Sequence, residues 1–450
     1  MVGKICVIGA GPSGLSVLCW FAKMSREGKQ IPEIVCYEKQ SDWGGLWNYT
    51  WRTGSDEHGE PIHGSMYRYL WSNGPKECLE FPHYTFEEHY GKAIPSFPPR
   101  EVLFDYLKGR WGKEDIKKYV KFSTVVRDVV YNKETDNFTV SVKDLVTDEV
   151  QESQDFDYVI VASGHYSVPN VPHFEGIEKF PGRVMHAHDF RDANEFKGKR
   201  LLLIGASYSA EDIALQCLKY GAESIICTWR SKPMGFTWPK EISERPLVQK
   251  FEGKTAFFKD GSQAEVDAVM MCTGYLHSYP YLRESLRLKS RNVLYPPGLF
   301  KGIVWLEGGN NKLLYAGVQD QYYTYTMFDV VGLWIAKYVM NDGISLPDAA
   351  TMEADWKAWV ARNKALKDCM EEIDFQTDFV QDLVKELGAD YPYDLDVKEM
   401  FYSWEHDKDV DVLSYRDKSF ASKFTGTKSP IHHTTFMKAL DDSLQTFMGK

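Results

Sequence analysis

Two strand, glycine-turn, helix units constrain the fold of this chain more than any other feature. The first reads ICVIGAGPSG at residues 5–14, and the second reads LLLIGASYSA at residues 201–210. In such a unit the glycine turn and the N-terminus of the following helix bind the pyrophosphate of a dinucleotide. The chain is therefore predicted to be an α/β protein with two Rossmann-like dinucleotide-binding domains. Two dinucleotides on one chain indicate electron transfer between them.

The first unit has the full glycine pattern, with Gly9, Gly11 and Gly14. Gly9 permits the tight turn, Gly11 lets the backbone approach a pyrophosphate, and Gly14 allows close packing of the helix on the strand. Ser13 lies within this turn, and an amphipathic helix is predicted from there to about Met24.

A second strand is predicted over Glu33–Tyr37, directly before Glu38. A carboxylate at that place accepts hydrogen bonds from ribose hydroxyls. Strand, turn, helix, strand and acid together are a much more specific signal than the glycines alone. The first unit is therefore predicted to bind a dinucleotide.

The second unit keeps Gly205 but has Ser207, Tyr208 and Ser209 in its turn. The flanking residues support the same interpretation, because a helix and then a strand are predicted after the turn, over residues 209–220 and 224–228.

Arg230 and Ser231 follow that strand, where an acid stands in the first unit. An acid would repel a 2′-phosphate, whereas a guanidinium and a hydroxyl bind one. The second unit is therefore predicted to prefer NADPH over NADH.

The order of the remaining patterns predicts how the two units are joined. Apolar strand-like runs at residues 159–164 and 269–275 bracket the second unit, and another strand is predicted at 313–318. We therefore expect a second domain, residues 169–279, inserted in the first, residues 1–168 and 280–450. Helices are expected over 325–340 and 348–387, and the aromatic-rich segment 43–100 is expected to wrap a ligand.

Composition excludes several classes of protein. The chain has 450 residues and a net charge of −11 with no basic tract, so no nucleic-acid partner is expected. Its eight cysteines include no CxxC pair, which favours reduced thiols over metal ligands or a redox disulfide. No signal peptide and no run of 18 apolar residues is present. We expect a soluble, cytoplasmic protein without membrane contact or a metal site.

The segment FPGRVMHAHDFR, residues 180–191, fits the identifying sequence FxGxxxHxxx[Y/F][K/R] of the flavin-containing monooxygenases. The chain resembles this family over essentially its whole length. Within it, the bacterial trimethylamine-oxidising subgroup is most similar, on the segments 67–77, 205–212, 233–236, 319–321 and 432–434. Tyr322 is a departure, because tryptophan is expected there in that subgroup.

The resemblance implies FAD in the first domain and NADPH in the second. NADPH would reduce FAD, and reduced FAD would capture dioxygen as a C4a-hydroperoxyflavin, which transfers oxygen to a soft nucleophile. The implied reaction is N-oxygenation of small tertiary amines, trimethylamine to its N-oxide, together with S-oxygenation of sulfides. A homodimer is compatible with the sequence.

The resemblance also assigns roles to particular residues. Asn73 would donate a hydrogen bond to the peroxide, and Tyr208 would contact the nicotinamide side of NADP. Asp320 follows the strand that is predicted to end at Val318, a position where it would bias the pocket toward cationic amines, order a water near the flavin, or be an exposed loop aspartate. These three form the expected catalytic set. The cofactor-binding residues expected from motif and resemblance are Gly9, Gly11, Ser13, Gly14, Glu38, Gln40, Gly45, Leu46, Trp47, His63, Trp71, Asn73, Gly205, Ser207, Tyr208, Ser209, Arg230, Ser231, Gln319 and Thr324.

The sequence is compatible with several other functions. The same chemistry could serve another soft nucleophile, such as hypotaurine, a sulfide or indole. A Baeyer–Villiger oxygenase is a further alternative, although its relatives carry tryptophan where this chain has Phe190. A disulfide reductase would require the missing cysteine pair, and a non-enzymatic flavoprotein would not need the intact glycine turns.

Overall fold

The structure is a computed structural model that describes residues 3–320, 322–440 and 443–449. Its strands are β1 (Lys4–Ile8), β2 (Glu33–Tyr37), β3 (Val120–Lys121), β4 (Thr124–Asn132), β5 (Asn137–Asp144), β6 (Gln154–Phe156), β7 (Tyr158–Val161), β8 (Val168–Pro169), β9 (Arg183–His186), β10 (Arg200–Ile204), β11 (Ser224–Trp229), β12 (Ile242–Pro246), β13 (Val248–Glu252), β14 (Thr255–Phe258), β15 (Gln263–Glu265), β16 (Ala268–Met271), β17 (Tyr275–Leu276), β18 (Leu299–Phe300), β19 (Val304–Trp305) and β20 (Leu313–Tyr315). Its α-helices are α1 (Pro12–Arg26), α2 (Phe86–Tyr90), α3 (Arg100–Trp111), α4 (Tyr208–Lys219), α5 (Thr324–Val339), α6 (Ala349–Ala365), α7 (Cys369–Leu387), α8 (Lys398–Val410) and α9 (Leu444–Phe447).

The first glycine unit builds the larger sheet, whose strand order is β18-β19-β20-β7-β1-β2-β3. The strands from β20 to β3 are parallel, and β18 and β19 form an antiparallel edge. β1 is buried on both faces, because Ile5 and Val7 belong to one hydrophobic cluster and Cys6 and Ile8 to another. Burial on both faces explains why this strand is a continuous apolar run rather than an alternating one.

The second glycine unit builds a separate parallel sheet with the order β12-β11-β10-β16-β9. All of its strands lie between residues 183 and 271, whereas the first sheet takes strands from both sides of that segment. The prediction of two Rossmann-like units, one inserted in the other, is therefore confirmed. The chain passes between them where β8 pairs with β17 in an antiparallel ribbon. The domain boundaries at residues 169 and 279 stay a prediction.

The predicted helical region 348–387 is two helices rather than one. Asp348 caps the first by accepting a hydrogen bond from the backbone N–H of Thr351, and Asp368 caps the second through Glu371. An aspartate at an N-cap position satisfies a backbone donor that a new helix leaves free, so Asp368 starts a second helix. The helix predicted over residues 13–24 extends from Pro12 to Arg26.

The strand predicted over residues 313–318 ends at Tyr315, two residues before Gly317. Gly317 has a φ of +72°, and a Cβ there would come within 2.8 Å of the Ser13 Cβ. The chain turns at this glycine and leads into α5, which packs on α1. Within the described residues no helix is long and apolar enough to cross a bilayer.

Close packing at Gly14 holds α1 against the turn that follows β1. A Cβ on Gly14 would lie 2.0 Å from the backbone oxygen of Gly9, which cannot move without breaking the turn. Gly11 is different, because its φ is −79° and the nearest heavy atom to a Cβ would be the Gly45 Cα at 3.6 Å. Gly14 is therefore required for the fold itself, whereas Gly11 is not.

We predict that Gly14→Ala lowers the free energy of unfolding by about 3 kcal/mol or more, as overpacking against backbone does. Gly11→Ala is the matched control and should change it by less than about 1 kcal/mol, because its methyl group fits in ordinary van der Waals contact. Urea unfolding of both variants measures the difference. Equal stability of the two variants would contradict this account of the turn.

Candidate active site

A cavity of about 790 Å³ opens at the carboxyl ends of β1, β2 and β7. Residues of the aromatic-rich segment 43–100 line it, as do the first turn of α4 and the aromatic side chains of Phe401 and Trp404. Ligand sites in open α/β sheets lie at this edge, and their volumes are typically about 300–1,000 Å³. The two glycine units therefore face one shared cavity.

The wall formed by the first unit suits an anionic, ribose-bearing ligand. Gly11 is the N-cap of α1 and provides no side-chain cap, so the helix N-terminus is free to bind an anion. Gly45 approaches so closely that a Cβ there would lie 2.9 Å from the Gly11 Cα. Glu38 is buried and accepts hydrogen bonds from the backbone N–H of Ala10 at 2.6 Å and of Gln40 at 2.8 Å. Burial raises the pKa of its carboxyl group, and these bonds partly offset that effect.

Most of the site residues expected from sequence line this cavity. They are Gly9, Gly11, Ser13, Glu38, Gln40, Gly45, Leu46, Trp47, His63, Trp71, Asn73, Tyr208, Ser209, Asp320 and Thr324.

The other expected residues lie outside the cavity wall. Gly14 packs beneath the turn, and Gly205 lies so close to the backbone oxygen of Cys272 that a Cβ would come within 2.2 Å. Gln319 is buried and donates from Nε2 to the Gly302 carbonyl at 2.7 Å. Ser207 is the exposed N-cap of α4, and Arg230 and Ser231 are exposed beyond the end of β11, beside the Gly205 turn. Gln321, part of the family segment 319–321, lies outside the described residues.

Tyr208 takes part in a buried polar cluster. Its hydroxyl oxygen lies 2.6 Å from that of Tyr322 and 2.8 Å from Glu405 Oε1. The Lys408 ammonium lies 3.3 Å from Glu405 Oε2 and 2.9 Å from Glu211 Oε2, and all three of these charged side chains are buried. Burial raises the pKa of the Glu405 carboxyl group, and Lys408 opposes the shift. This cluster joins α8 to the first turn of α4.

Asn73 and Asp320 both line the cavity, and the side chain of each is held by a hydrogen bond. Asn73 Oδ1 accepts a hydrogen bond from the buried Arg416 at 3.2 Å. Asp320 Oδ1 accepts one from the Tyr166 hydroxyl at 2.8 Å. Glu372 lines the same cavity, and burial, followed by the negative charge of Asp320, raises the pKa of its carboxyl group.

Sequence reasoning missed several residues of this site. Asp212, Glu372, Phe401 and Trp404 line the cavity, and Glu405, Lys408 and Arg416 stand behind it. In the sequence, charged residues of a helical C-terminal segment look like a solvated face. Nothing local to them signals burial, because the partners that bury them, among them Tyr208, Glu211 and Asp212, come from α4, far away in the chain.

Comparison with known proteins decides the family. The model of the flavin-binding monooxygenase-like family matches residues 2–234 and 239–401. The chain belongs to this family. It is 58% identical over 99% of its length to the trimethylamine monooxygenase of Methylocella silvestris, covering 98% of that protein. It is 52% identical to the trimethylamine monooxygenase of Pelagibacter sp. strain HTCC7211, covering 100% of each.

A solved structure supports the same family membership. The crystal structure of Tmm from the same Pelagibacter strain superimposes with a TM-score of 0.95 over 99% of this chain and 100% of that one, at 52% identity. The chain is therefore an NADPH-dependent flavin monooxygenase that uses FAD and NADPH, and the family resemblance seen in the sequence is confirmed.

The residues present in this flavin monooxygenase fit both cofactors. FAD fits the wall that contains the uncapped N-terminus of α1, the closely spaced Gly11 and Gly45, and Glu38. NADPH fits the wall formed by α4, whose N-terminus has no side-chain cap and carries Tyr208 and Ser209 into the same cavity. Both walls belong to one cavity, and a shared cavity is what hydride transfer between two bound cofactors requires.

We predict that Lys408→Met lowers the free energy of unfolding by about 3–5 kcal/mol at pH 8, because two buried carboxylates lose their counter-ion. Lys408 lowers the pKa of the Glu405 carboxyl group, so its removal raises that pKa further, and the folded variant binds more protons than the folded wild-type protein as the pH falls; the penalty therefore grows as pH rises. The cost of the substitution should therefore shrink as the pH falls from 8 toward 5, and urea midpoints measure it.

Lys301→Met is the matched control. Lys301 also lies between two carboxylates, Asp382 and Glu386, at 2.7 Å from each, but both acids are 34% exposed. Water can solvate these acids, so Lys301→Met should lower the free energy of unfolding by about 1 kcal/mol. A similar cost for the two substitutions would contradict the importance of burial at Lys408.

Proposed function

We propose that this flavin monooxygenase N-oxygenates small tertiary amines, with trimethylamine as the substrate and trimethylamine N-oxide as the product. The observation that carries the proposal is the 52–58% identity over essentially the whole chain to proteins named trimethylamine monooxygenase. S-oxygenation of sulfides belongs to the same proposal, since sulfur is also a soft nucleophile.

The cavity wall supports a small amine as substrate. The rings of Tyr208, Tyr322, Phe401 and Trp404 lie beside one another, with Tyr208 and Trp404 stacked at 6.1 Å between centroids. A trialkylamine is protonated in neutral water, and a face of aromatic rings attracts such a cation. The cation must lose its proton before its nitrogen can attack, and the Asp320 and Glu372 carboxylates in the same cavity are suited to accept it.

When bound, FAD and NADPH would supply the redox chemistry, which is reduction of the flavin and activation of dioxygen for transfer to the substrate. The chain binds and orients them. Glu38 and the α1 N-terminus hold the ribose and pyrophosphate of FAD, and Arg230 binds the 2′-phosphate of NADPH. Tyr208 orients the nicotinamide, and Asn73 presents an N–H donor at the reacting oxygen. The FAD domain comprises residues 1–168 and 280–450, and the NADPH domain residues 169–279.

A substrate panel tests this function. Purified protein should be yellow and should consume NADPH and oxygen, forming trimethylamine N-oxide in proportion to the NADPH oxidised. Dimethyl sulfide, hypotaurine, indole and a cyclic ketone are the comparison substrates, scored by product. NADPH oxidation with no oxygenated product from any amine or sulfide would refute the proposal, and ester formation from the ketone would favour Baeyer–Villiger chemistry.

Arg230→Ala should raise the KM for NADPH about tenfold to a hundredfold, the effect of losing a charge-assisted contact to phosphate. The KM for NADH should change little, because NADH lacks the 2′-phosphate. Lys232→Ala is the control, since Lys232 is a nearby exposed cation whose ammonium donates to the Lys367 carbonyl at 3.4 Å. Equal effects of Arg230→Ala on both nucleotides would show that Arg230 does not bind this phosphate.

A further inference from the structure

Arg416 joins three segments that are far apart in the chain. Its side chain is fully buried, and its Nε donates to the Ser72 carbonyl at 3.0 Å. Its Nη2 donates to Asn73 Oδ1 at 3.2 Å and to Asp212 Oδ1 at 2.5 Å. Ser72 and Asn73 belong to the aromatic-rich segment, Asp212 belongs to α4, and Arg416 lies beyond α8. One guanidinium therefore ties the cavity wall of the first unit to the helix of the second.

The contact with Arg416 fixes which end of the Asn73 amide is available to a ligand. A primary amide has an oxygen that only accepts hydrogen bonds and an NH₂ group that only donates them. Arginine has donors alone, so it selects the amide oxygen, and the NH₂ group is the end left for the cavity that Asn73 lines. Rotation of the amide by half a turn would place the NH₂ group against the guanidinium, where two donors repel each other.

Asp212 holds the guanidinium in place. It is buried, its Oδ1 accepts from Arg416, and within the described residues its Oδ2 has no hydrogen-bond partner. An uncompensated buried carboxylate is costly, so the Arg416–Asp212 ion pair resists separation. The fork geometry of arginine lets it satisfy the backbone oxygen, the amide oxygen and the carboxylate together, which a lysine ammonium does not reproduce.

We propose that Arg416, held by Asp212, is a positioning residue that fixes the Asn73 amide with its N–H groups toward the reaction space. This inference rests on the proposed function, in which Asn73 presents a donor at the reacting oxygen. Arg416 acts through Asn73 and does not itself line the cavity. Its loss should allow the amide to rotate and should let oxygen escape as hydrogen peroxide rather than enter product.

The principal test is Arg416→Lys in the FAD-loaded enzyme, which keeps the positive charge beside Asp212 and loses the fork. The ratio of hydrogen peroxide to oxygenated product should rise about tenfold, as for the loss of one oriented hydrogen bond. The rate of flavin reduction by NADPH without oxygen should stay within about twofold, because that step does not need this donor. A merely structural role would instead lower flavin content and reduction rate together with product.

Two Asn73 variants show whether Arg416 acts through the amide. Asn73→Ala should raise peroxide release. The double variant Asn73→Ala/Arg416→Lys should release no more peroxide than Asn73→Ala alone, because the two residues act as one unit. Asn73→Asp keeps an acceptor for Arg416 but has no N–H donor at neutral pH, so it should release as much peroxide as Asn73→Ala. Additive effects in the double variant, or full product yield in Asn73→Asp, would overturn the inference.

A direct observation of the amide does not depend on turnover. In the NMR spectrum of isotope-labelled holoenzyme, the side-chain NH₂ signals of Asn73 are identified by their absence in Asn73→Asp. Arg416→Lys should shift or broaden these signals, whereas unchanged signals would contradict the proposal. Arg110→Lys is the control, since Arg110 is a buried arginine that contacts Asp329 at 3.5 Å outside this cavity. It should leave both the signals and the peroxide ratio unchanged.

If Arg416→Lys does not fold, Asp212→Asn provides the second variant. It keeps the arginine and weakens the contact that holds it, so the peroxide ratio should rise by a smaller factor than in Asn73→Ala. A wild-type ratio in folded Asp212→Asn would then overturn the inference. If the proposed function itself is wrong, the wild-type enzyme will form no oxygenated amine or sulfide. That result differs from a failure of the inference about Arg416, in which the wild-type enzyme forms product and the variants keep its peroxide ratio.

Discussion

The close packing of α1 on the turn after β1 determines where everything else in the molecule lies. Gly9 turns the chain, and Gly14 has room for a hydrogen only, so the helix starts directly at the carboxyl edge of the sheet with its N-terminus free. The Gly45 backbone then approaches Gly11 closely enough to close one side of the space. On the other face of the contact, Gly332 of α5 allows that helix to approach the backbone of α1 at Ser16. A side chain at Gly9, Gly14, Gly45 or Gly332 would push these segments apart and move the wall of the cavity.

The second unit repeats the strand, turn and helix order of the first, although Gly205 is the one glycine in its turn. Its insertion in the first unit brings two nucleotide-binding units together. Its segment leaves and re-enters the first unit through the β8–β17 ribbon, and the first turn of its helix α4 lines the same cavity as the first unit. Two nucleotide sites that share one cavity can pass a hydride between them without a diffusing carrier. The C-terminal segment packs on the cavity wall, with Trp71 buried against Phe436 and Phe447 and with Trp404 stacked on Tyr208. The buried charges of this segment are paired, since an isolated charge would be too costly there.

Local patterns predicted the parallel strands, both glycine turns, Glu38 and the family because these features depend on residues close together in sequence. The break between α6 and α7 was missed, although Asp348 and Asp368 each carry an N-cap signal. The antiparallel sheets β4-β5-β6 and β13-β14-β15 were also not predicted, although β5 carries the alternation of buried and half-buried residues that is typical of a strand. For the site, Asn73, Tyr208 and Asp320 were expected and do line one cavity, whereas Gln319 turns away from it toward Gly302.

The sequence by itself determined the two dinucleotide units, their order and the family, because glycine geometry and strand hydrophobicity are local properties that spacing reveals. Only the tertiary structure decided which charged residues are buried. Lys408 and Arg416 resemble surface cations in the sequence, yet the fold encloses them between α4, α8 and the aromatic-rich segment. The physical reason is that the cost of burying a charge depends on the partners that long-range packing supplies, and those partners, Glu211 and Asp212, lie about 200 residues away in the chain.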